Sequence, residues 1–189
     1  MDNNQKDKLL SNKFIQTFLE TQSILPVKNE EKFAEIATSL AYYLKSFSNI
    51  RKLLEYTCLI FKHIFNEKII LIIPLNDEGK IWHENIKISS NTKSINVEET
   101  IYSFFNRFKF SKNFKIREIL NFEDSLKNNF KEYIIESEKI ISRGKCRGFI
   151  YIFSNNISKG SITEDLKFKF IINCLAVGLE NYWLIKAKK

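Results

Sequence analysis

Cys146 is the only one of the three thiols in this 189-residue sequence that has reactive surroundings. The run RGKCR (143–147) places three cations beside it, and nearby cations lower the pKa of a thiol and favour the thiolate form. A thiol enzyme is one hypothesis for such a residue, and an inert thiol beside a turn is the alternative. Cys58 and Cys174 lie on apolar helix faces, and the wide spacing of the three cysteines indicates free thiols.

The segment 107–117 (RFKFSKNFKIR) carries five basic residues and three Phe with no acidic residue. Basic residues interleaved with aromatic ones are typical of surfaces that bind single-stranded nucleic acid or a phosphorylated ligand. The alternative is that the rings are core and the lysines face water. We therefore keep nucleic-acid or anion binding as the alternative function and do not expect a nucleic-acid partner.

Residues suited to metal or hydrolytic chemistry are sparse. The two histidines, His63 and His83, have no ligand at suitable spacing except Glu84, and neighbouring residues of a strand point to opposite faces. The sequence contains no G-x-S-x-G, P-loop or G-x-G-x-x-G motif. We therefore predict no metal, no cofactor and no enzymatic activity.

Composition indicates one folded domain in the cytoplasm. The 44% hydrophobic content is too high for a disordered chain, and the polar N-terminus and the lack of a long apolar run predict neither a signal peptide nor a membrane segment. The net charge of +8 comes mainly from lysines interspersed with 22 acidic residues, which is typical of a solvated surface.

Two pairs of apolar runs predict β-hairpins. Residues 68–75 form a continuous apolar run, typical of a strand covered on both faces, and a polar turn leads to a returning strand at 80–88. Residues 138–142 and 148–154 form the second pair. Hairpins separated by helices predict an α+β fold whose antiparallel sheet is flanked by helices.

Helical spacing of apolar residues predicts the other elements. We expect an N-terminal helical extension at 1–28 and a single domain at 29–189. The domain has helices at 30–47, 50–65, 97–108, 122–133 and from 161 onward, and a short strand at 115–119. The final helix opens with a capping box, Ser161 to Glu164.

The final helix is apolar on two sides, so it must be covered twice. The sheet covers one side, and the other needs the N-terminal helix or a second subunit. We predict a homodimer through the terminal helices, and the alternative is a helix covered within one subunit. The predicted interface residues are Phe168, Ile172, Leu175, Leu179 and Tyr182.

The order of elements resembles the GAF fold, a ligand-sensing relative of PAS domains. The stretches that carry the resemblance are 40–55, 148–154 and 162–181, and they are most similar to the GAF domain that precedes the catalytic domain of cyanobacterial PP2C-type serine phosphatases of sigma-factor partner switching. The resemblance implies five or six antiparallel strands between long terminal helices. The signatures of cyclic-nucleotide, bilin and methionine-sulfoxide-reductase GAF domains are missing.

The resemblance also implies a function. The chain would be a non-catalytic sensory domain that acts on an output domain or partner such as a serine phosphatase. A pocket would lie between the sheet and the crossover segments, and its ligand is unidentified. The candidate lining residues are Ile73, Phe104, Phe108, Ile116, Ile140, Phe149 and Tyr151. The alternative is that these large side chains fill the space and leave no pocket.

Overall fold

The computed structural model describes residues 49–65, 68–90, 95–108, 110, 116–155, 163 and 165–186. The predicted helices at 1–28 and 30–47 lie outside the described residues. In chain order, the described elements are α1 (Ile50–Ile64), β1 (Ile69–Pro74), a 3₁₀ turn (His83–Asn85), β2 (Lys87–Ser90), α2 (Ile95–Arg107), α3 (Ile116–Asn129), β3 (Ile134–Ser142), β4 (Lys145–Ser154) and α4 (Leu166–Lys186).

The four strands form one antiparallel sheet in the order β2-β1-β4-β3. The α+β class and the antiparallel sheet are therefore confirmed. The described part of the chain contains four strands rather than the predicted five or six.

The central strands β1 and β4 are buried because both of their faces are apolar. Every residue of β1 is buried, as the continuous run at 68–75 predicts. Ile70 and Ile72 point to the face covered by α1 and α4, whereas Leu71 and Ile73 point to the face covered by α2 and α3. The sheet therefore separates two hydrophobic clusters, which we call the α1/α4 face and the α2/α3 face.

The first hairpin differs from its prediction in the returning strand. Its turn has the expected chemistry, since Gly79 adopts a φ of +75° and the Asn76 side chain accepts a hydrogen bond from the Lys80 amide at 2.9 Å. Ile81 then makes only an isolated bridge to Leu75, and the chain turns before β2 begins. The interruption lets the Trp82 ring pack against helix α4.

The second hairpin is confirmed and is longer than predicted. β3 and β4 are joined by Arg143 and Gly144, whose φ angles are 48° and 72°. A two-residue turn with both φ angles positive matches the right-handed twist of the flanking strands. Glycine suits the second position because it has no Cβ to strain.

Helices α1 and α4 pack side by side on one face of the sheet. Asn49 caps α1, since its side chain accepts hydrogen bonds from the amides of Arg51 and Lys52. Helix α4 begins at Leu166, later than predicted, and Asp165 caps it by accepting from the Lys167 amide at 2.7 Å. Of the predicted capping box, Ser161 and Glu164 lie outside the described residues.

Helices α2 and α3 cover the opposite face. The predicted strand at 115–119 is wrong, because the chain is helical from Ile116 to Asn129. Ile119, Phe122 and Leu126 are buried at spacings of three and four residues, which places them on one side of a helix. The predicted helix at 122–133 is therefore the second half of α3.

Candidate functional site

An open groove of about 310 Å³ lies between helices α2 and α3. It is lined by Phe104, Arg107, Phe108, Ser125 and Asn129. Two of these residues, Phe104 and Phe108, belong to the predicted lining set, and Arg107 begins the basic-aromatic segment. The groove therefore brings together residues of the predicted lining set and of the basic-aromatic segment.

Aromatic rings form the apolar wall of the groove. The Phe104 and Phe108 rings contact the Phe122 ring at centroid distances of 5.8 and 5.2 Å. Phe122 is fully buried and meets Tyr151 of β4 edge-to-face at 5.6 Å. The groove is thus separated from the sheet by one layer of rings, and edge-to-face pairs of this kind stabilise a core beyond their area burial.

Two polar side chains of the groove donate hydrogen bonds to backbone carbonyls at the ends of their own helices. Arg107 Nε donates to the Ser103 carbonyl at 3.2 Å, and Asn129 Nδ2 donates to the Ser125 carbonyl at 2.7 Å. Each bond joins a side chain at the end of its helix to the carbonyl four residues earlier, in the last helical turn. Among the described residues, the terminal nitrogens of Arg107, the Ser125 hydroxyl and the Asn129 carbonyl oxygen make no other hydrogen bond.

The other predicted lining residues do not reach the groove. Ile73, Phe149 and Tyr151 lie on the α2/α3 face but are buried behind the ring layer. Ile140 points to the opposite face, where it packs with α1 and α4. Ile116 begins α3, and its side chain is outside the described set. The large side chains fill most of the predicted pocket, which leaves only the groove at its edge.

Tyr151 places a polar group inside this aromatic layer. Its side chain is fully buried, and burial followed by the nearby Glu123 carboxylate raises the pKa of Tyr151 far above its usual range. The hydroxyl is therefore a neutral group at any ordinary pH. No cation in the described part of the chain is placed to make it a nucleophile.

Cys146 does not have the reactive thiol that its sequence neighbours suggest. It is half-buried against the α2/α3 cluster, and its Sγ donates a weak hydrogen bond to the Gly148 carbonyl at 3.4 Å. Burial raises the pKa of the Cys146 thiol, against a smaller opposing influence of Lys139. Three cations adjacent in sequence do not act together because a strand directs neighbouring side chains to different faces.

A β-bulge at Arg147 explains where one of those cations goes. Ile140 pairs with Gly148 but Ile141 pairs with Cys146, so Arg147 has no opposite residue on β3. The extra residue keeps Cys146 on the α2/α3 face while Arg147 reaches the other face. There its Nη2 forms a buried ion pair with Glu180 Oε2 of α4.

No sequence motif predicts this ion pair. Its signal is compositional, since Glu180 is the only charged residue between Lys169 and Lys186, and Arg147 opens an otherwise apolar run. Isolated charges of opposite sign inside two apolar elements indicate a buried pair, because unpaired charges are rarely buried.

The basic-aromatic segment is divided in the described structure. Phe108 and Phe110 pack on the aromatic cluster, with ring centroids 4.7 Å apart, whereas Arg107 and Arg117 are exposed. Residues 109 and 111–115 lie outside the described residues. The two described rings are therefore engaged inside the protein and do not form an open platform on which bases would stack.

The predicted dimer stripe is covered within the chain itself. Phe168, Leu175 and Leu179 are fully buried and Ile172 is 5% exposed, all within the α1/α4 cluster. Tyr182 is half-buried against Trp82 and Trp183. These side chains hold α4 on its own sheet. The apolar residues that α4 exposes are on its other side: Leu166, Val177, Leu184 and Ile185.

Metal-binding clusters are lacking among the described residues, where no three His, Cys, Asp or Glu side chains lie close enough to hold an ion. His83 lies in the 3₁₀ turn rather than in the predicted strand, beside the rings of Phe105 and Phe110. The side chain of His63 is outside the described set.

Helix α4 is the one described helix that is long and apolar enough to cross a membrane by length and composition. It has 21 residues, and 56% of its most apolar window is buried inside the protein. A buried core helix has the same properties, so this finding does not place the chain in a membrane.

The sequence matches no protein-family model. No curated protein is significantly similar to it.

Proposed function

We propose that this chain is a non-catalytic regulatory domain of the GAF type that binds a small ligand on one side of its sheet and contacts a partner on the other. One observation carries the proposal: the sheet separates a groove-bearing pair of crossover helices from the paired helices α1 and α4. A ligand and a protein partner would then act on opposite faces of the same four strands.

The arrangement of elements supports the GAF assignment. Two antiparallel hairpins form the sheet, α2 and α3 lie on the crossover between them, and α1 and α4 flank the sheet on the other face. The resemblance implies a ligand pocket between the sheet and the crossover. The groove lies at the outer edge of that position.

The volume of the groove lies at the lower end of the range for small-molecule sites. Ligand pockets commonly have volumes of roughly 300–1,000 Å³ with apolar walls and a few polar groups that fix orientation. Phe104 and Phe108 supply the wall, and Arg107, Ser125 and Asn129 supply the polar rim. This composition favours a ligand with an apolar body and an acceptor group that meets Arg107.

The proposed partner is a second copy of the chain, bound through the exposed side of α4. Val177 and Leu184 are seven residues apart and therefore lie on one side of the helix, with exposed fractions of 36% and 38%. A second copy would cover them in the same way as helices pair in a bundle. An output domain or a serine phosphatase is the corresponding heterologous partner.

Native mass spectrometry of freshly purified protein tests both halves of the proposal. We expect a dimer mass and a retained small molecule. Arg107→Ala should lose the small molecule and keep the dimer, whereas Leu184→Lys should lose the dimer and keep the small molecule. Arg51→Ala, which removes an exposed arginine of α1, is the matched control and should change neither.

Two results would contradict the proposal. If the protein is a monomer without any bound molecule at micromolar concentration, both ligand binding and dimerisation are contradicted. Loss of the small molecule in Arg51→Ala as well as in Arg107→Ala removes the groove as its binding site.

A further inference from the structure

Two contacts hold the C-terminal end of helix α4, residues 180–186, against the sheet. The first is the buried ion pair between Glu180 and Arg147 of the bulge. The second is an aromatic stack in which the Trp183 ring lies 4.9 Å from the Trp82 ring. Both contacts reach the same end of the central strands, because Trp82 donates its amide to Pro74 and Pro74 pairs with Gly148 beside Arg147.

The ion pair exists only because of the bulge. Counted back from Phe149 and Tyr151, strict alternation would place Arg147 on the α2/α3 face, and the extra residue at the bulge turns it to the other face. Gly148 fixes the bulge against β1, since a Cβ at this position would lie 2.7 Å from the Ile73 carbonyl oxygen. The position of Arg147 is therefore tied to the two central strands.

The aromatic contact is completed by the last residues of the helix. The Tyr182 ring lies 4.9 Å from the Trp183 ring and 5.9 Å from the Trp82 ring. The Lys186 ammonium lies 5.4 Å from the Trp183 ring centroid and 5.9 Å from that of Trp82, which is within cation–π distance.

This end of α4 is held less completely than the rest of the helix. Arg147 Nε and Trp183 Nε1 are buried and have no hydrogen-bond partner in the described structure. Release of the helix end would let water hydrogen-bond to both donors and solvate both charges. This hydration would offset part of the free energy lost with the contacts. Phe168, Leu175 and Leu179, by contrast, are fully buried apolar side chains that gain nothing from release.

We propose that residues 180–186 form a releasable latch, docked through Arg147 and Trp82 and able to leave the sheet while the first half of α4 stays in the core. Because Arg147 belongs to the β3–β4 hairpin, the latch joins the helix end to a hairpin that carries Cys146 and Tyr151 on its other face. Its use as a signal to a partner rests on the proposed function, whereas the latch itself does not.

Hydrogen exchange and tryptophan fluorescence together test the latch. Trp82 and Trp183 are the only two tryptophans of the chain, so the fluorescence spectrum reports directly on the contact. Arg147→Met leaves Glu180 buried without its partner. We expect amide exchange in residues 180–186 to accelerate by about tenfold or more, with a red-shifted emission and unchanged exchange in β1.

A double variant keeps the test decisive if Arg147→Met fails to fold. R147M/E180M replaces the pair with apolar side chains of similar size, which need no partner. We expect exchange in residues 180–186 at least as slow as in the wild type. The matched control, Glu55→Gln, breaks the partly exposed ion pairs of Glu55 with Arg51 and Lys87. It should leave the emission unchanged and should not accelerate exchange in residues 180–186 more than in β1.

The proposal is overturned if Arg147→Met accelerates exchange equally in β1 and in residues 180–186, because the pair then supports the whole fold. It is also overturned if the double variant exchanges faster than the wild type at residues 180–186. Neither measurement uses a ligand or a dimer, so failure of the latch is distinct from failure of the proposed function.

Discussion

The two faces of the sheet are packed with different kinds of side chain. The α1/α4 face is mainly aliphatic around Ile70, Ile72 and Ile150 and contains the buried pair of Arg147 and Glu180. The α2/α3 face is richer in aromatic side chains and carries the groove. The groove lies at the margin of the ring cluster, beside Phe104 and Phe108.

This difference in packing gives the two faces different physical properties. A closely packed face transmits a displacement because it has little free volume, and its buried ion pair couples the end of α4 to the β3–β4 hairpin. A face built of rings can admit a small apolar molecule where one ring is displaced. Removal of one buried ring should therefore have the largest effect and tests this comparison most strongly.

Phe122→Ala should have the largest effect. Its fully buried ring contacts those of Phe104, Phe105, Phe108, Phe110 and Tyr151. We expect a loss of about 3–5 kcal/mol in the free energy of unfolding, measured by urea denaturation.

A matched variant on the other face sharpens this result. Leu54→Ala, in the α1/α4 cluster, should cost about 2–5 kcal/mol. Dissolved benzene should partly restore the stability of Phe122→Ala, because an apolar cavity binds benzene and this cavity adjoins the groove. If benzene restored the stability of Leu54→Ala to the same degree, small apolar molecules would enter the α2/α3 face no more easily than the α1/α4 face.

Gly148→Ala tests the close approach of β1 and β4 between the two faces. The new Cβ would meet a backbone oxygen that cannot rotate away, so we expect a loss of roughly 1–3 kcal/mol in denaturant titration. Gly144→Asn is the control, since this position has open space and a φ of +72° that asparagine tolerates. A larger loss at Gly144 than at Gly148 would contradict the steric argument.

The two helices of the α1/α4 face should depend on their caps to a similar degree. Asn49→Ala and Asp165→Ala each remove a side chain that accepts from two backbone amides of the first turn. We expect each to cost about 1 kcal/mol in thermal or urea unfolding. Asn49→Asp and Asp165→Asn keep an acceptor and should retain most of the stability.

Substitution of Glu55 should have the smallest effect on the free energy of unfolding, and this effect should depend on pH. Partial burial raises the pKa of Glu55, but hydrogen bonds from Lys87 and Arg51 outweigh it and hold the pKa below its ordinary value. A lowered carboxyl pKa contributes stability above the unfolded-state pKa, and the contribution is lost as pH falls through the folded-state value.

Glu55→Gln should therefore lose at most about 1 kcal/mol at neutral pH, because the ion pairs are partly exposed. Wild type and variant should become equally stable in acid, as measured by urea unfolding across pH. A difference that grows on acidification would contradict the assigned sign.

The α+β class and most element positions could be predicted from the sequence. The apolar run at 68–75 predicts a doubly covered strand, and the spacing of apolar residues predicts α1 and α2. These patterns are local consequences of backbone geometry. The strand predicted at 115–119 failed because five residues are too few to distinguish a period of two from the period of a helix that continues to Asn129.

The site was predicted only in part. Phe104 and Phe108 line the groove as expected, but Ile140 lies on the other face and the predicted dimer stripe of α4 is internal. The register between strands assigns Ile140 to its face, and the position of α1 decides which side of α4 is covered. Neither is encoded in a short window of sequence.

The behaviour of Cys146 illustrates what each level determines. The sequence by itself determined its three cationic neighbours, the hairpin that contains it and the turn beside it. Only the tertiary structure decided that one cation crosses the sheet at a bulge to meet Glu180, and that burial raises the pKa of the thiol. Electrostatic effects depend on distance and burial in three dimensions, whereas hydrophobic periodicity acts along the chain.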